Sequence, residues 1–361
     1  MKTQELRENL NLQVLERENI IDSIIAALLT GNHVFLYGPP GNAKTYLCQK
    51  IAESLQMRHF IYLMSKTTRP EELFGPFKIS ALKQDKFERN ISGKLPEAEL
   101  AVLDEIWKAD GVILNNLLTV LNERQFDNNG RINVPLQSAL CASNEIPEDS
   151  SLNALYDRML FRLDVTYLKN SGNLRKLFFT GLENIASNSF TLADLQSEFE
   201  ASKKSYEFSE ELQDSFIRFI FAMRKNGIAV SDRRAKACIP ALQALYFVKQ
   251  YPKMNSEIFY WITDMLWYSP EERIKIQKVA AQEKFLSISA SRAVGFKEQF
   301  DGLLSKYNAG SIDPINARAE VMELKQKMQE EFANSEDRSE VVNNIIEECD
   351  RLMAQIIRDS F

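Results

Sequence analysis

The strongest chemical signal is the segment Gly38-Pro39-Pro40-Gly41-Asn42-Ala43-Lys44-Thr45, which lies between a predicted strand and a predicted helix. Glycines let the backbone curl so that consecutive N–H groups face phosphate oxygens, and the start of the following helix adds a favourable dipole. Lys44 would contact the β- and γ-phosphates, and the Thr45 hydroxyl could bind Mg²⁺. Ala43 stands where the general pattern has glycine, and it is tolerable there if the local φ is negative. The spacing predicts a nucleotide-binding loop.

Two carboxylates, Asp104 and Glu105, follow an apolar run at residues 100–103. The carboxyl ends of strands form the ligand-binding edge of an open α/β sheet. Asp104 would hold Mg²⁺ directly or through water, and Glu105 would orient and activate the attacking water. By itself such a pair could equally be a solvated strand end. Behind a phosphate loop it indicates nucleotide hydrolysis, since a P-loop kinase does not require the second carboxylate.

Further polar residues follow or flank the later predicted strands. Asn144 follows the run at 140–142, where its amide could contact the γ-phosphate and the water. Arg158 and Arg162 lie beside the last predicted strand, and an arginine facing outward there is suited to reach a neighbouring subunit as an arginine finger. Spacing alone leaves a surface salt bridge open for each. Arg233 is a further candidate, which would close over the nucleotide from a helical domain.

Five short apolar runs alternate with helical patterns in the first 170 residues. Such runs are typical of a parallel sheet covered on both faces, although any single run could be a buried helix segment. A β-hairpin is expected before the fourth strand, because residues 122–126 and 132–136 flank turn residues at 127–130. The predicted strands are residues 33–37, 60–63, 100–103, 140–142 and 161–165.

The chain is expected to divide into an α/β nucleotide-binding core at residues 1–170, an all-helical lid at 171–270 and a helical C-terminal region at 271–361. Apolar residues at helical spacing, such as Leu212, Phe216 and Met223, indicate the lid. Two apolar stripes in the C-terminal region indicate packed helix faces. They are Val321, Leu324, Met328 and Phe332, and Val342, Ile345, Cys349, Leu352 and Ile356.

Composition argues against several other classes of protein. The 361 residues carry a formal net charge of −6 with a pI near 5.4, whereas a dedicated nucleic-acid binder usually has a basic surplus. Two histidines and four scattered cysteines argue against a histidine-based metal site, a zinc site or a disulfide framework, and they fit a reducing cytosol. No signal peptide or membrane-spanning run is recognisable, so a cytoplasmic protein is expected.

Taken in chain order, these motifs resemble an AAA+ ATPase of the MoxR family, and most closely its regulatory ATPase variant A (RavA) branch. The resemblance covers roughly residues 10–270 and is most specific in the first 165. Beyond the phosphate loop, it rests on Phe74-Gly75-Pro76, Gly93-Lys94-Leu95-Pro96-Glu97-Ala98-Glu99, Leu103-Asp104-Glu105-Ile106-Trp107-Lys108-Ala109, Leu117-Leu118-Thr119-Val120-Leu121-Asn122-Glu123-Arg124-Gln125-Phe126, Ser143-Asn144-Glu145-Ile146-Pro147, Leu155-Tyr156-Asp157-Arg158-Met159-Leu160 and Val230-Ser231-Asp232-Arg233-Arg234.

The resemblance assigns a family role to each candidate residue and adds structural expectations. It implies an inserted helix–strand element near residues 71–94, a hairpin at about 122–137, and a hexameric ring with ATP at subunit interfaces. It also implies a chaperone-like role, often with a partner that has a von Willebrand factor A domain and a metal-ion-dependent adhesion site. The roles are Walker A for residues 38–45, Walker B for Asp104 and Glu105, sensor 1 for Asn144, arginine finger for Arg158 and sensor 2 for Arg233.

Some assignments stay open at this stage. Arg158 matches the Asp-Arg motif of the family with Arg162 as the alternative finger, and sensor 2 could be Arg234 rather than Arg233. The best-known members of the RavA branch have, after the lid, a small β-rich domain that binds an inducible lysine decarboxylase. Because residues 271–361 read as helical, that binding is not expected here.

The sequence therefore predicts an Mg²⁺-dependent ATPase that acts as a ring-forming motor on a protein client, in remodelling or metal insertion. Hydrolysis would rotate the lid against the core and move the hairpin against the client. One alternative is a nucleotide-gated scaffold with little turnover, although binding alone needs neither Glu105 nor Arg158. Another is a DNA-acting AAA+ motor, since helicase relatives share the hairpin. Net acidity and the weakly basic hairpin tip argue against nucleic acid.

Overall fold

A parallel sheet forms the centre of the protein, as the apolar runs predicted. The computed structural model describes residues 2–147, 152–168, 170–182, 190–286 and 288–332, with eight positions between 342 and 356. The order β2-β3-β6-β1-β7 defines the five-stranded sheet, in which all neighbouring strands are parallel. The strands are β1 (His33–Tyr37), β2 (His59–Leu63), β3 (Leu100–Asp104), β4 (Gln125–Asp127), β5 (Arg131–Asn133), β6 (Ser138–Ser143) and β7 (Met159–Asp164).

Helices cover the sheet and make up the rest of the described chain. Short 3-10 helices occur at Leu95–Glu97, Ile106–Lys108 and Ile262–Met265, and a π-helical turn at Lys176–Thr180. The α-helices are α1 (Lys2–Gln13), α2 (Glu18–Thr30), α3 (Lys44–Glu53), α4 (Pro70–Phe74), α5 (Ile79–Leu82), α6 (Gly111–Glu123), α7 (Asn153–Tyr156), α8 (Ser171–Arg175), α9 (Leu192–Ser205), α10 (Glu210–Lys225), α11 (Asp232–Lys249), α12 (Ile258–Trp261), α13 (Pro270–Gln282), α14 (Ile288–Asn308) and α15 (Pro314–Glu331).

Two apolar cores cover the two faces of the sheet. Successive strand residues point to opposite faces, so Val34 and Leu36 join one core while Phe35 joins the other. The first core also contains buried residues of α2, α3 and the lid helices α9, α10 and α11. The second contains the buried face of α6. Because the first core continues from the sheet into the lid, the lid packs directly on the nucleotide-binding core.

The hairpin predicted before the fourth sheet strand is present but shorter than expected. Strands β4 and β5 pair antiparallel. Helix α6 extends to Glu123 and so includes residues 122 and 123, which were predicted to belong to the first strand of the hairpin. At the tip, Asn128 Oδ1 accepts a hydrogen bond from the backbone N–H of Arg89 at 2.6 Å, and Phe126 stacks on Phe74. The inserted segment that contains Arg89 holds α4, α5 and one isolated antiparallel bridge. The hairpin and the inserted segment are thus in direct contact.

The lid is joined to the core by a buried group of charges. Lys249 at the end of α11 lies 3.0 Å from the Asp22 carboxylate on α2, and Arg7 on α1 lies 2.5 Å from the same carboxylate. The side chains of Asp22 and Lys249 are almost completely buried. Removing one partner of such a pair would leave an uncompensated buried charge, which is strongly destabilising. These contacts fix α11 along α2.

The C-terminal region is helical, as predicted, and has an apolar core of its own. The two predicted stripes pack together: Val321, Leu324, Met328 and Phe332 share one cluster with Val342, Ile345, Cys349, Leu352 and Ile356. The helical spacing of these apolar residues predicted that the faces they form would be buried. Across the described part of the chain, no helix combines the length and apolarity needed to cross a membrane.

His33 joins the base of the hairpin to the start of β1. The N–H of Ala139 donates to His33 Nδ1 at 2.9 Å, and His33 Nε2 lies 2.9 Å from the carbonyl oxygen of Leu121. Arg124 Nη1 lies 2.7 Å from the same nitrogen. Burial, and then the charge of Arg124, lower the pKa of His33 to about 3. This histidine is therefore neutral near pH 7.

We expect His33 to make folding stability pH-dependent. In the unfolded chain it binds a proton near pH 6.5, whereas in the folded chain it does so only near 3, so stability rises with pH between these values and is lost on acidification. The slope contributed by one such group is at most about 1.4 kcal/mol per pH unit. Urea unfolding of the wild type and His33→Gln at pH 7 and 5 measures it. Equal pH dependence of the two proteins would contradict this environment for His33.

Candidate active site

The phosphate loop is held in place by the segment that follows β7. Gly38 has φ 150°, and a Cβ built on it would lie 2.1 Å from the carbonyl oxygen of Val165, so the position requires glycine. The side-chain amide of Asn42 donates to the same carbonyl. Tyr167 donates its hydroxyl hydrogen to the carbonyl of Pro40 at 2.9 Å. The loop shape therefore depends on close packing against residues 165–167.

Two residues of the loop adopt left-handed backbone conformations. Gly41 has φ 77°, as the predicted turn requires, and Ala43 has φ 65° directly before α3. The condition under which alanine is tolerated here without strain, a negative φ, is therefore not met. The left-handed conformation costs a residue with a Cβ roughly 1–2 kcal/mol. This loop thus retains strain that a glycine would not have.

Lys44 lies with its ammonium group inside the loop. Its Nζ donates to the carbonyl of Gly38 at 2.6 Å, to that of Pro39 at 2.9 Å, and to Asn42 Oδ1 at 3.1 Å. Burial lowers the pKa of Lys44, while the carboxylates of Glu105 and Asp104 act in the opposite direction. Lys44 therefore lies inside the loop and close enough to both strand-end carboxylates for their charges to affect its pKa.

The two residues predicted to bind Mg²⁺ are in contact. Thr45 Oγ1 donates to Asp104 Oδ2 at 2.5 Å, and the backbone N–H of Glu105 donates to the other Asp104 oxygen at 3.0 Å. Glu105 has φ 53°, a left-handed conformation that begins the turn after β3, and its carboxylate lies 3.3 Å from Lys108 Nζ. A hydroxyl and a carboxylate are hard oxygen donors, which fits Mg²⁺.

Asn144 completes the residues at this edge of the sheet. The register pairs Asp104 with Ala142, and Tyr37, the last residue of β1, with Ser143, so Asn144 directly follows the edge on which the loop and the carboxylates lie. Its Oδ1 is buried and has no hydrogen-bond partner among the described residues. A buried acceptor without a partner is costly. This oxygen is therefore available to bind a water molecule or a ligand at the site.

Arg158 lies at the opposite edge of the sheet. It directly precedes Met159, the first residue of β7, which pairs with His33 at the amino end of β1, whereas the phosphate loop follows the carboxyl end. The five residues of β1 span about 16 Å at 3.3 Å per residue. The Nε of Arg158 is buried and has no hydrogen-bond partner among the described residues. The loop of the same chain is thus too far away for Arg158 to complete it.

Arg162 occupies a structural position. It is fully buried, with its guanidinium 3.9 Å from the ring centre of Tyr156 and 4.2 Å from that of Tyr268. It donates to the carbonyls of Tyr156 and Trp267. Burial, together with the charge of Arg234, lowers its pKa to about 10. The structure does not support Arg162 as the alternative finger, because a fully enclosed side chain cannot reach another subunit.

Arg233 and Arg234 both contact Asp157, the residue before Arg158. Arg234 is buried and donates to the carbonyls of Met265, Met159 and Leu160, at 2.6, 2.8 and 3.1 Å. Arg233 is about half exposed and pairs with the Asp157 carboxylate. Arg233 lies against Asp157 at the start of β7, away from the phosphate loop of the same chain, and its role as sensor 2 stays a prediction. No pattern in the sequence predicted the contacts that Asp157 and Tyr268 make with these arginines.

Two protein-family models match regions of this chain. Residues 1–200 match the model described as the MoxR domain in the MoxR-vWA-beta-propeller ternary systems. The chain belongs to the MoxR family of AAA+ ATPases. Residues 211–280 match an AAA lid domain. This second match overlaps residues 211–270 of the region that the sequence assigned to the lid and extends ten residues beyond it.

Individual relatives of this MoxR-family chain extend the comparison. Two uncharacterised proteins of Methanocaldococcus jannaschii are 36% and 34% identical, each over about three-quarters of both chains. The chaperone MoxR1 of Mycobacterium tuberculosis is 23% identical over 59% of this chain and 57% of its own length. A solved structure from Cytophaga hutchinsonii, of a protein assigned as an ATPase, superposes with a TM-score of 0.63, covering 79% of this chain and 94% of its own, at 18% identity. That likeness shows the shared fold.

We expect Ala43→Gly to raise the free energy of unfolding by up to about 1 kcal/mol. Glycine removes the strain of the left-handed conformation, but it also increases the entropy of the unfolded chain, which offsets part of the gain. The matched control is Ala201→Gly on the exposed side of α9, which should lower stability by about 1 kcal/mol. Urea unfolding midpoints measure both. Destabilisation by Ala43→Gly as large as that of the control would contradict the left-handed backbone.

Proposed function

We propose that this MoxR-family chain is an Mg²⁺-dependent ATPase whose site is completed by a second copy of the chain. The observation that carries the proposal is the distribution of the candidate residues over two edges of one sheet. Lys44, Thr45 and Asp104 lie with the phosphate loop at the carboxyl edge, whereas Arg158 lies at the amino edge. A ring in which these edges face each other would bring the two sets together. The expected hexamer fits this requirement.

The residues at the carboxyl edge suit hydrolysis of a bound nucleotide. The loop backbone and Lys44 would bind the phosphates of ATP, and Thr45 and Asp104 would hold Mg²⁺, which offsets negative charge on the β- and γ-phosphates. Glu105 would orient the attacking water and accept its proton, and Asn144 Oδ1 would accept a hydrogen bond from the same water. Arg158 of the neighbouring subunit would stabilise the charge that develops on the transferred phosphoryl group.

The family description supports a wider role. The matching model is that of MoxR-vWA-beta-propeller systems, and one relative is described as a chaperone. We therefore propose a partner with a von Willebrand factor A domain, and a protein client that is remodelled or loaded with metal in the cytoplasm. The hairpin of β4 and β5 would contact the client. Membership of the RavA branch stays a prediction from the motifs.

The two other functions drawn from the sequence have less support. A nucleotide-gated scaffold would not need Glu105 next to Asp104, and turnover measurements decide between scaffold and motor. For a DNA-acting motor, the net charge of −6 is unfavourable. Strongly salt-dependent DNA binding at physiological ionic strength would revive that function.

We expect Lys44→Ala to weaken ATP binding at least about a hundredfold, because hydrogen bonds from a charged group to phosphates are among the strongest in proteins. Isothermal titration calorimetry with ATP and Mg²⁺ measures the change. Lys50→Ala is the matched control, since Lys50 lies on the same helix and pairs with Glu53 at 2.8 Å. Unchanged affinity of the Lys44 variant would show that residues 38–45 are not a phosphate loop.

We expect Glu105→Gln and Arg158→Ala each to lower ATP turnover about a thousandfold while ATP binding is retained. A mixture of the two variants should regain part of the activity, because some interfaces then combine an intact Glu105 with an intact Arg158. Arg218→Ala, on the exposed side of α10, serves as the arginine control. Wild-type turnover no faster than that of Glu105→Gln would rule out the motor, and a mixture without recovery would rule out completion by a neighbour.

A further inference from the structure

Lys108 pairs with the carboxylate that the proposed function assigns to the attacking water. Its ammonium nitrogen lies 3.3 Å from Glu105 Oε2. This oxygen is buried and accepts no hydrogen bond from the described residues, although the Glu105 side chain as a whole is 19% exposed. The accessible part of the side chain therefore lies away from Oε2. Lys108 thus faces the enclosed oxygen of the carboxylate.

The backbone between the two residues places their side chains on the same side of a turn. Glu105 has φ 53° and is followed directly by the 3-10 helix Ile106–Lys108, whose last N–H donates to the carbonyl of Glu105 at 2.9 Å. Residues three apart eclipse one another in a 3-10 helix. The turn therefore aligns Lys108 with Glu105 through its backbone geometry.

Buried side chains anchor this turn to the core. Ile106 is fully buried, and the centre of the Trp107 ring lies 5.7 Å from that of Phe35 and 5.8 Å from that of Tyr156. Phe35 belongs to β1 and Tyr156 to α7, so the turn is fixed against two elements. With the backbone held in this way, the ion pair with Lys108 is what fixes the direction of the Glu105 carboxylate.

Lys44 is another lysine near Glu105, but it cannot hold the carboxylate during turnover. Burial lowers the pKa of Lys44, and Glu105 is the largest of the charges that act in the opposite direction. With ATP bound, the Lys44 ammonium would contact the phosphates. Lys108 belongs to the turn after β3, outside the phosphate loop, and its side chain is 41% exposed. It can therefore pair with Glu105 whether or not the loop holds a nucleotide.

We propose that Lys108 is a positioning residue that holds the Glu105 carboxylate by Oε2 and so directs its other oxygen at the attacking water. This inference rests on the proposed function and adds to the site a residue that no motif assigned. Lys108 acts through Glu105 and does not contact the nucleotide. The proton of the water still passes to Glu105.

Replacing Lys108 by methionine keeps an unbranched stem and removes the charge. We expect Lys108→Met to lower kcat about ten- to a hundredfold with the Kd for ATP unchanged within about twofold, because misplacement of a catalytic group by about 1 Å has effects of this size. Lys203→Met is the matched control, since Lys203 on α9 pairs with Glu200 three residues away at 2.5 Å and is 39% exposed. That control should keep wild-type turnover.

Two further variants separate positioning from a merely structural effect. Lys108→Arg keeps the positive charge and should recover most of the lost turnover. In the Glu105→Gln background, Lys108→Met should cause no further loss in single-turnover experiments, because the two residues act as one unit.

Mixtures of variants test whether Lys108 acts on the carboxylate of its own chain. Lys108→Met mixed with Arg158→Ala should regain part of the activity, since some interfaces then combine an intact Lys108 and Glu105 with an intact Arg158. Lys108→Met mixed with Glu105→Gln should not, because every carboxyl edge then lacks one member of the pair.

The outcomes distinguish this inference from the proposed function. Wild-type or faster turnover by Lys108→Met, alongside an inactive Glu105→Gln, would overturn the positioning role alone. Equal losses in Lys108→Met and Lys108→Arg, or a further loss in the Glu105→Gln background, would also overturn it. Absence of ATP turnover in the wild-type protein, or full activity of Glu105→Gln, would instead overturn the ATPase site from which the inference starts.

Thermal unfolding checks that the variants fold. Because an exposed ion pair contributes little to stability, Lys108→Met should unfold at the wild-type temperature. Should this variant fail to fold, Lys108→Gln, which also lacks the charge, takes its place in the same comparisons.

Discussion

The parallel direction of β1 and β7 is the constraint on which the rest of the structure depends. Parallel strands place all their carboxyl ends at one edge, so the phosphate loop, Asp104 and Asn144 meet there. The same geometry places Arg158, just before β7, at the other edge, about 16 Å away by strand length. Under the proposed function, a single chain with this sheet holds two incomplete halves of one site. Assembly would then be a condition for the chemistry.

The contacts that attach the lid to the core limit which parts of the chain can move relative to each other. The lid shares an apolar core with α2, and the buried pair of Asp22 and Lys249 joins them. Rotating the lid within one chain would separate Lys249 from Asp22, and a charge left buried without its partner is strongly destabilising. Movement between neighbouring subunits leaves it intact. The contacts of Asp157 with the lid favour the same division, because they tie the lid to the turn of Arg158.

The sequence predicted the sheet, the loop and the clustering of Lys44, Thr45 and Asp104 because apolar runs and strand ends carry this information locally. It missed the φ of Ala43, which is set by how the loop packs on residues 165–167. It also did not predict the pairing of Arg233 with Asp157, since the partner of an arginine depends on how the lid docks. Neither the docking of the lid nor the packing of the loop leaves a periodic pattern in the sequence. The order of the motifs therefore predicts only part of the site.

The hydrogen bonds around His33 determine how firmly the hairpin is connected to the phosphate loop. Arg124, at the base of the hairpin, donates to the carbonyls of Leu121, Gly31 and Gln137, and His33 opens the strand whose far end becomes the phosphate loop. Strand β1 is flanked on both sides by hydrogen-bonded neighbours and resists bending. It is thus a stiff connection between the hairpin and the phosphate loop. A load applied to the hairpin would reach that loop through five residues of backbone.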